Sequence, residues 1–196
     1  MDMTSTLALT LGVAWASGLN LYATILMLGL MGATGGIVLP PELEVLTNPF
    51  VIAIAAFMYA VEFFADKIPG VDSAWDAVHT FIRIPAGAVL AAGAVGPVDP
   101  SVQIAVALLG GALSAGSHAT KASARLMINA SPEPFTNWGA SIAEDLMVVA
   151  GLYAALNHPI LLLVMLAVFF GLAIWLLPKL FGAIRGGLGR LAGALR

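Results

Sequence analysis

Long apolar stretches with very few charges limit what this chain can fold into. Hydrophobic residues make up 60% of its 196 residues and charged residues only 10%, whereas a soluble domain carries about 25% charged residues. Such a chain cannot cover a globule with a wetted surface, but lipid can solvate it. Because a bilayer core requires about 20 mostly apolar helical residues, we predict an all-α integral membrane protein with about six transmembrane helices.

The predicted spans occupy most of the chain. They cover residues 4–31, 49–67, 74–95, 102–128, 135–157 and 159–177. Ser17–Asn20 interrupts the first span and Ser114–Ser117 lies in the fourth, so we expect both helices to be broken, as in many transporters. Pro85 predicts a kink in the third span, and Pro178 is expected to end the sixth.

The domain organisation follows from these spans. Residues 1–178 form a single transmembrane domain, and residues 179–196 form a basic amphipathic tail that we expect to lie along the cytoplasmic membrane surface. The N-terminus lacks a positively charged region, so we expect the first apolar stretch to be retained as a span.

The distribution of Lys and Arg predicts the orientation. If both termini are cytoplasmic, all Lys and Arg residues lie toward the cytoplasmic side. The opposite loops then contain the acidic residues Glu42, Glu44 and Asp99 and no Lys or Arg. The positive residues are Lys67, Arg83, Lys121, Arg125, Lys179, Arg185, Arg190 and Arg196. We therefore predict a multi-pass protein of the cell inner membrane.

The two halves of the chain share a weak pattern. Small residues interrupt the first and fourth spans, acids occur in the second and fifth, and prolines occur in the third and sixth. The halves 4–96 and 101–177 could therefore be repeats. Because each contains three spans, the second would be inverted in the membrane, as in many transporters.

Ionisable and amide side chains inside the spans are the main candidates for function, since charges at this depth cost about 2.5–3.5 kcal/mol each. The candidates for binding a substrate or ion are Asn20, Glu62, Asp66, His118, Lys121, Arg125, Asn137, Glu144 and Asp145. Helical spacing places Glu62 with Asp66 on one face, and His118, Lys121 and Arg125 on another. They either form a transport site or only pair as acids and bases near the interface.

A divalent metal site is a further interpretation. Asp72, Asp76 and His79 supply oxygen and nitrogen ligands on one face of a helix. The alternative is that the same residues form a solvated polar face. The chain contains no cysteine, which excludes disulfides and thiolate sites.

Three segments carry a family resemblance. The runs SGLNLY (17–22), EFFADKIPGVDSAWDAVHTFIRIPAGA (62–88) and HATKASARLMINASPEPFTNWGASIAED (118–145) resemble signature segments of a bacterial multi-pass membrane family known only as a domain of unknown function. The resemblance covers nearly the whole chain except the basic tail. It implies the membrane class and supplies neither a substrate nor catalytic residues.

The sequence is compatible with three functions. The leading hypothesis is a small transporter or channel-like carrier for an ion or small solute, coupled to a proton or cation through Glu62 and Glu144. The second is an enzyme or translocator that binds a lipid phosphate through Arg83, Lys121 and Arg125. The third is a non-catalytic membrane subunit.

Partners follow from composition. The chain is expected to contact the lipid bilayer, and its size is compatible with a symmetric homodimer. The eight Lys and Arg form no basic stripe, which argues against a nucleic-acid partner.

Overall fold

The computed structural model describes residues 2–68, 70–129 and 134–194, and within them it contains helices and no strand. The α-helices are α1 (Met3–Leu19), α2 (Leu21–Ala33), α3 (Pro49–Ala65), α4 (Val71–Ala94), α5 (Pro100–Ile128), α6 (Pro134–Asn157) and α7 (Pro159–Ala194). A short 3₁₀ helix, Pro41–Thr47, which the sequence analysis did not predict, connects α2 to α3. The all-α class is therefore confirmed.

Several of these helices can cross a membrane. In the described part of the chain, four are long and apolar enough: Val71–Ala94, Pro100–Ile128, Phe135–Asn157 and Pro159–Lys179. A fifth is added if the 3₁₀ helix and α3, which meet at 69°, form one span. With 17 and 13 residues, α1 and α2 are each too short to cross alone. The chain is a helical membrane protein, and the six spans and the repeat stay predictions.

The predicted break in the first span lies at a single residue. Asn20 has extended backbone angles, φ −147° and ψ 100°, between α1 and α2. Its backbone N–H donates to Ala16, and its side-chain oxygen accepts from Ala23 N, so Asn20 ends one helix and caps the next. The break leaves carbonyl groups in the last turn of α1 free to bind other partners.

The predicted break in the fourth span is wrong. Helix α5 runs without interruption from Pro100 to Ile128. Ser114 Oγ donates to Arg83 O of α4 at 2.8 Å. Ser117 Oγ lies 2.9 Å from Trp15 O of α1 and 3.1 Å from Leu113 O and Ser114 O of its own helix, so neither side chain interrupts α5. The small residues of this segment therefore serve close helix packing and not chain reversal.

Two prolines lie inside helices. Pro85 is within the continuous α4, consistent with the prediction of one span there. The apolar segment that can cross a membrane ends at Lys179, next to the predicted end, but the helix itself does not stop there, because α7 continues to Ala194. Leu177 and Lys179 flank Pro178, and their high helix propensity favours continuation despite the lost hydrogen bond. The predicted amphipathic pattern of the tail depends on the placement of side chains, including those of Arg185, Arg190 and Arg196, that the structure does not describe.

Helices α1, α4 and α5 pack closely around small residues. A Cβ atom added at Gly18 would collide with Ser117 Oγ and the Ser114 carbonyl, and one at Gly87 would collide with the Ser114 side chain. Glycine therefore lets the three backbones approach one another. This approach brings the polar faces of α4 and α5 against the broken end of α1, where the candidate site lies.

Candidate functional site

Charged side chains from α3, α4, α5, α6 and the α3–α4 turn form one buried cluster, which we call the ionic network. Its members are Glu62, Asp66, Asp76, Arg83, Lys121, Arg125 and Glu144. None is more than 7% exposed. Since a buried charge is costly unless it is paired and hydrogen-bonded, this network is the strongest constraint on how the helices can assemble.

Helical periodicity brings these residues together. Glu62 and Asp66 are four residues apart, as are Lys121 and Arg125, and Asp76 and Arg83 are seven apart, so each pair points from one side of its helix. The shared faces predicted from the spacing are therefore present.

Lys121 lies at the centre of the network. Its ammonium contacts four carboxylates and one backbone carbonyl. The oxygens are Asp66 Oδ2 at 3.0 Å, Leu19 O at 3.1 Å, Glu62 Oε1 at 3.3 Å, Glu144 Oε2 at 3.4 Å and Asp76 Oδ1 at 3.8 Å. Five oxygens around one cationic nitrogen resemble the coordination shell of a bound cation.

Arg83 connects α3 and α4 on one side of Lys121. Its Nη2 donates to Glu62 Oε1 at 2.6 Å, and its Nη1 donates to Asp76 Oδ1 at 3.1 Å and to Gly18 O at 3.4 Å. The last contact and the bond from Lys121 to Leu19 O use the two carbonyls that precede the break at Asn20. The break is thus stabilised by the cations of the network.

Arg125 connects α5 and α6 on the other side. It donates to both oxygens of Glu144, at 3.0 and 2.8 Å, in the bidentate geometry that suits guanidinium and carboxylate. It also donates to Asp66 Oδ2 at 3.3 Å and to the Asn137 side chain. Because its donors contact α6 and the α3–α4 turn, Arg125 fixes the position of α6 relative to α5.

The charges of the network do not balance. Four carboxylates face three cations, which gives a formal charge of −1 when all are ionised. In addition, Glu62 Oε2, Asp66 Oδ1 and Asp76 Oδ2 are buried without a hydrogen-bond partner among the described groups. Since an unsatisfied buried acceptor is costly, these oxygens favour a proton, a cation or water beside them.

His118 extends the network toward α4. Its Nδ1 lies 3.0 Å from Arg83 Nη1, which can only donate, so Nδ1 accepts and the ring proton is on Nε2. Nε2 lies 3.1 Å from the carbonyl of Asp76 and 2.8 Å from Thr80 Oγ1. His118 is thus held as a hydrogen-bonding neighbour of the network in a defined tautomer.

Asn20 and Asp145 form a separate contact beside the network. Asn20 Nδ2 donates to Asp145 Oδ1 at 3.0 Å, and Tyr59 Oη donates to Asp145 Oδ2 at 3.1 Å. Asn20 is 1% exposed and Asp145 is partly buried. The helix break is therefore connected to α6 through the Asn20 amide. It is connected to the ionic network through the carbonyls of Gly18 and Leu19.

The predicted metal ligands are not brought together. Asp72 accepts from Asn129 Nδ2 and from backbone N–H groups at the start of α4, Asp76 belongs to the ionic network, and His79 donates to Trp75 O and accepts from Tyr22 Oη. Each residue thus has its own partners. Across the described residues, no three His, Cys, Asp or Glu side chains are grouped to hold a metal ion.

In a comparison with known proteins, one family model matches most of the chain. A family model described as a domain of unknown function, DUF4126, matches residues 7–179. The chain belongs to this family. The matched range contains every residue of the ionic network together with Asn20 and Asp145, and it ends at Lys179, the first residue of the basic tail. Neither a curated protein nor a solved structure matches the chain.

The burial of the ionic network weakens part of the basis for the predicted membrane orientation. Arg83, Lys121 and Arg125 supported the predicted orientation as positive residues near span ends, but they are buried in the bundle and paired with acids. The positive-inside rule concerns charges in the loops and flanks. The orientation therefore rests on Lys67, Lys179 and the tail.

Sequence reasoning missed several members of the site. Tyr59 is one helical turn before Glu62, so its position on the polar face of α3 could have been predicted. Asp76 was considered only as a metal ligand, although its seven-residue spacing from Arg83 also allowed an ion pair. The carbonyls of Gly18 and Leu19 had no side-chain signal, because only the break at Asn20 makes them available.

Asp99 is an acid that lies outside the helices and the ionic network. Asp99, at the start of α5, accepts from the hydroxyl and the backbone N–H of Ser101, and these bonds hold its pKa below the usual value. Asp99 is exposed and distant in sequence from the network, so it offers a control position for carboxylate substitutions.

Removing Arg83 should strongly destabilise the protein. The substitution Arg83→Met keeps much of the side-chain volume but leaves Glu62 and Asp76 without their guanidinium, and breaking a buried pair in this way costs about 3–5 kcal/mol. The measurement is the free energy of unfolding in mixed micelles, titrated with a denaturing detergent.

Lys179→Met is the matched control. Lys179 is exposed and lies over the Trp175 ring, and loss of such an exposed contact costs about 0.5–1 kcal/mol. Equal stability of the two variants would contradict the structural importance of the network.

Proposed function

We propose that this chain is a small transporter or channel-like carrier for an ion or small solute, coupled to protons or a monovalent cation through the carboxylates of the ionic network. The observation that carries the proposal is the charge imbalance of the network. One positive charge is lacking, and three buried carboxylate oxygens have no partner among the described groups. An intramembrane carboxylate in this situation is a candidate proton or cation site.

Lys121 supplies the switching element in this proposal. Its ammonium and a mobile cation would use the same oxygens, those of Glu62, Asp66 and Glu144. A cation that binds there, or a proton that neutralises one carboxylate, weakens the attraction that holds Lys121. Differential binding of this kind to two arrangements of the bundle is what a coupled carrier requires.

The break at Asn20 supports a site at the same place. Discontinuous helices in transporters expose backbone carbonyls to coordinate ions. Here the Gly18 and Leu19 carbonyls accept from Arg83 and Lys121. When either cation moves, its carbonyl becomes available to a substrate without unfolding of the helix.

The lipid-phosphate alternative is less well supported. Arg83, Lys121 and Arg125, which would bind the phosphate, already contact two to four carboxylates each. An anionic headgroup would have to displace these acids inside the bundle, where their repulsion is strongest.

Neutralising one network carboxylate should strongly reduce coupled transport. In proteoliposomes that enclose a pH-sensitive dye, we expect the wild-type protein to move protons when a gradient of one cation or solute from a panel is applied. Glu62→Gln and Glu144→Gln should each lower the initial rate of proton movement by about tenfold or more, equivalent to about 1.4 kcal/mol. The reason is that an amide cannot bind and release a proton as a carboxylate does.

Asp99→Asn is the control for this experiment. It changes an exposed carboxylate while an amide still caps α5, so transport should be unchanged. If no member of the panel moves and Glu62→Gln behaves as the wild type does, the proposed function is wrong.

The proposal includes six crossings in an inner membrane, with α1 and α2 forming one broken span and both termini in the cytoplasm. It also includes the inverted repeat, which pairs α3 with α6 and hence Glu62 with Glu144, both of which contact Lys121. Association as a homodimer stays a prediction. The natural chain has no cysteine, so single cysteines can be introduced directly to test the topology.

Labelling of single cysteines in intact cells should separate the two sides. A membrane-impermeant maleimide should label Asp99→Cys, in the α4–α5 connection, because this loop faces away from the cytoplasm. Lys179→Cys should react only after the membrane is permeabilised. Labelling of both positions in intact cells would exclude the six-span arrangement.

A further inference from the structure

We propose that a second site, a groove between α2, α3 and α6, binds an amphiphilic organic cation. The groove has a volume of about 310 Å³, within the range of pockets that hold small molecules. Its polar lining comes from Asp145 and Tyr59, and its apolar lining from Ala23, Leu26, Met27, Leu30, Met31 and Val149. This site lies outside the ionic network.

Asp145 differs from the network carboxylates in its partners. Its two oxygens accept hydrogen bonds from the Asn20 amide and the Tyr59 hydroxyl, both neutral. All ion pairs found in the described part of the chain belong to the network, and none includes Asp145. Asp145 is therefore an acid oriented by two neutral donors with no direct ion pair, and the nearby cations Lys67 and Lys121 act on it only from beyond ion-pair distance.

The walls of the groove face the surroundings of the bundle. Leu30 is 46% exposed and Val149 is 48% exposed, so the groove opens on the apolar outer surface that lipid covers. Met27 and Met31 contribute flexible, polarisable side chains, which adapt to ligands of different shape. A ligand can therefore enter from the membrane with its apolar part against these residues.

The combination determines the class of ligand. A cationic group placed at Asp145 gains an ion pair in a medium of low dielectric constant, where such pairs are strong. An anion of the same shape is repelled by the same carboxylate. A lipid acyl chain fits the walls but makes no ion pair with Asp145, so the groove favours a cation that carries apolar groups.

The groove also contacts the proposed transport machinery. Asn20 connects Asp145 to the helix break, and Glu144 of the network is the adjacent residue on α6. Binding at Asp145 stands without any transport. Only the further step, that the organic cation is the cargo of the carrier, rests on the proposed function.

Binding can be measured with tetraphenylphosphonium, a lipophilic cation, and the protein in nanodiscs of zwitterionic lipid. We expect saturable binding of the radiolabelled probe above that of empty nanodiscs, and a loss of affinity of tenfold or more in Asp145→Asn. The amide retains an acceptor for either Asn20 or Tyr59 but carries no charge. Tetraphenylborate, the anion of similar shape, should not bind saturably.

Two further variants distinguish a specific loss of binding in Asp145→Asn from a loss caused by misfolding. Leu30→Trp fills the groove from a partly exposed position and should block binding while Asp145 is intact. Asp99→Asn should bind as the wild type does. Saturable binding that is unchanged in Asp145→Asn, equal saturable binding of tetraphenylborate, or no binding above empty nanodiscs would each overturn the proposal.

The outcome is separable from that of the transport experiment. If the probe binds as expected but Glu62→Gln has no effect on flux, the groove is a cation site and the proposed coupling is wrong. If flux depends on Glu62 but the probe does not bind, the carrier proposal stands and the groove is not its organic-cation site.

Discussion

The interior of this membrane protein depends on one interaction, the placement of the Lys121 ammonium among four carboxylates and a backbone carbonyl. Each of these acids would be prohibitively costly in a lipid-surrounded bundle without a cation. The helices that carry them must therefore assemble around α5. Close packing at Gly18, Gly87 and the serines of α5 makes this possible, because it brings three backbones near enough for the side chains to meet.

The same interaction explains the broken first helix. A continuous helix would use the Gly18 and Leu19 carbonyls in its own backbone ladder. The extended conformation of Asn20 frees them for Arg83 and Lys121. The amide of Asn20 then caps α2 and binds Asp145. One residue thus places the backbone carbonyls of α1 against the network and its own amide against Asp145 of the groove.

Much of the fold could be predicted from the sequence, for a physical reason. Apolar length, helix-starting prolines and the glycines between spans act locally, so the helix positions agree with the spans predicted from the sequence. The break expected in the fourth span is absent because tertiary contacts override a local signal: the Ser114 and Ser117 hydroxyls bond to carbonyls of other helices within a continuous α5. Helix α7 continues through Pro178 for a local reason, the helix-forming residues on either side of it.

The site was only partly predictable. Helical spacing predicted which charges share a face, but spacing alone does not determine which faces meet. It could not distinguish Asp76, which pairs with Arg83, from Asp72, which binds Asn129. It also could not show that Asp145, next to Glu144 in the chain, turns toward an apolar groove while Glu144 binds Arg125. These differences depend on how α6 packs against its neighbours.

The ionic network should hold a cation or ordered water beside its three unpaired carboxylate oxygens. An experimental structure in lipid at neutral pH, at a resolution that shows ordered water, is the measurement that decides this. We predict ordered non-protein density within hydrogen-bond distance of Glu62 Oε2, Asp66 Oδ1 or Asp76 Oδ2. A dry network in which all three oxygens are paired with protein donors would contradict this account and leave the cluster a purely structural one.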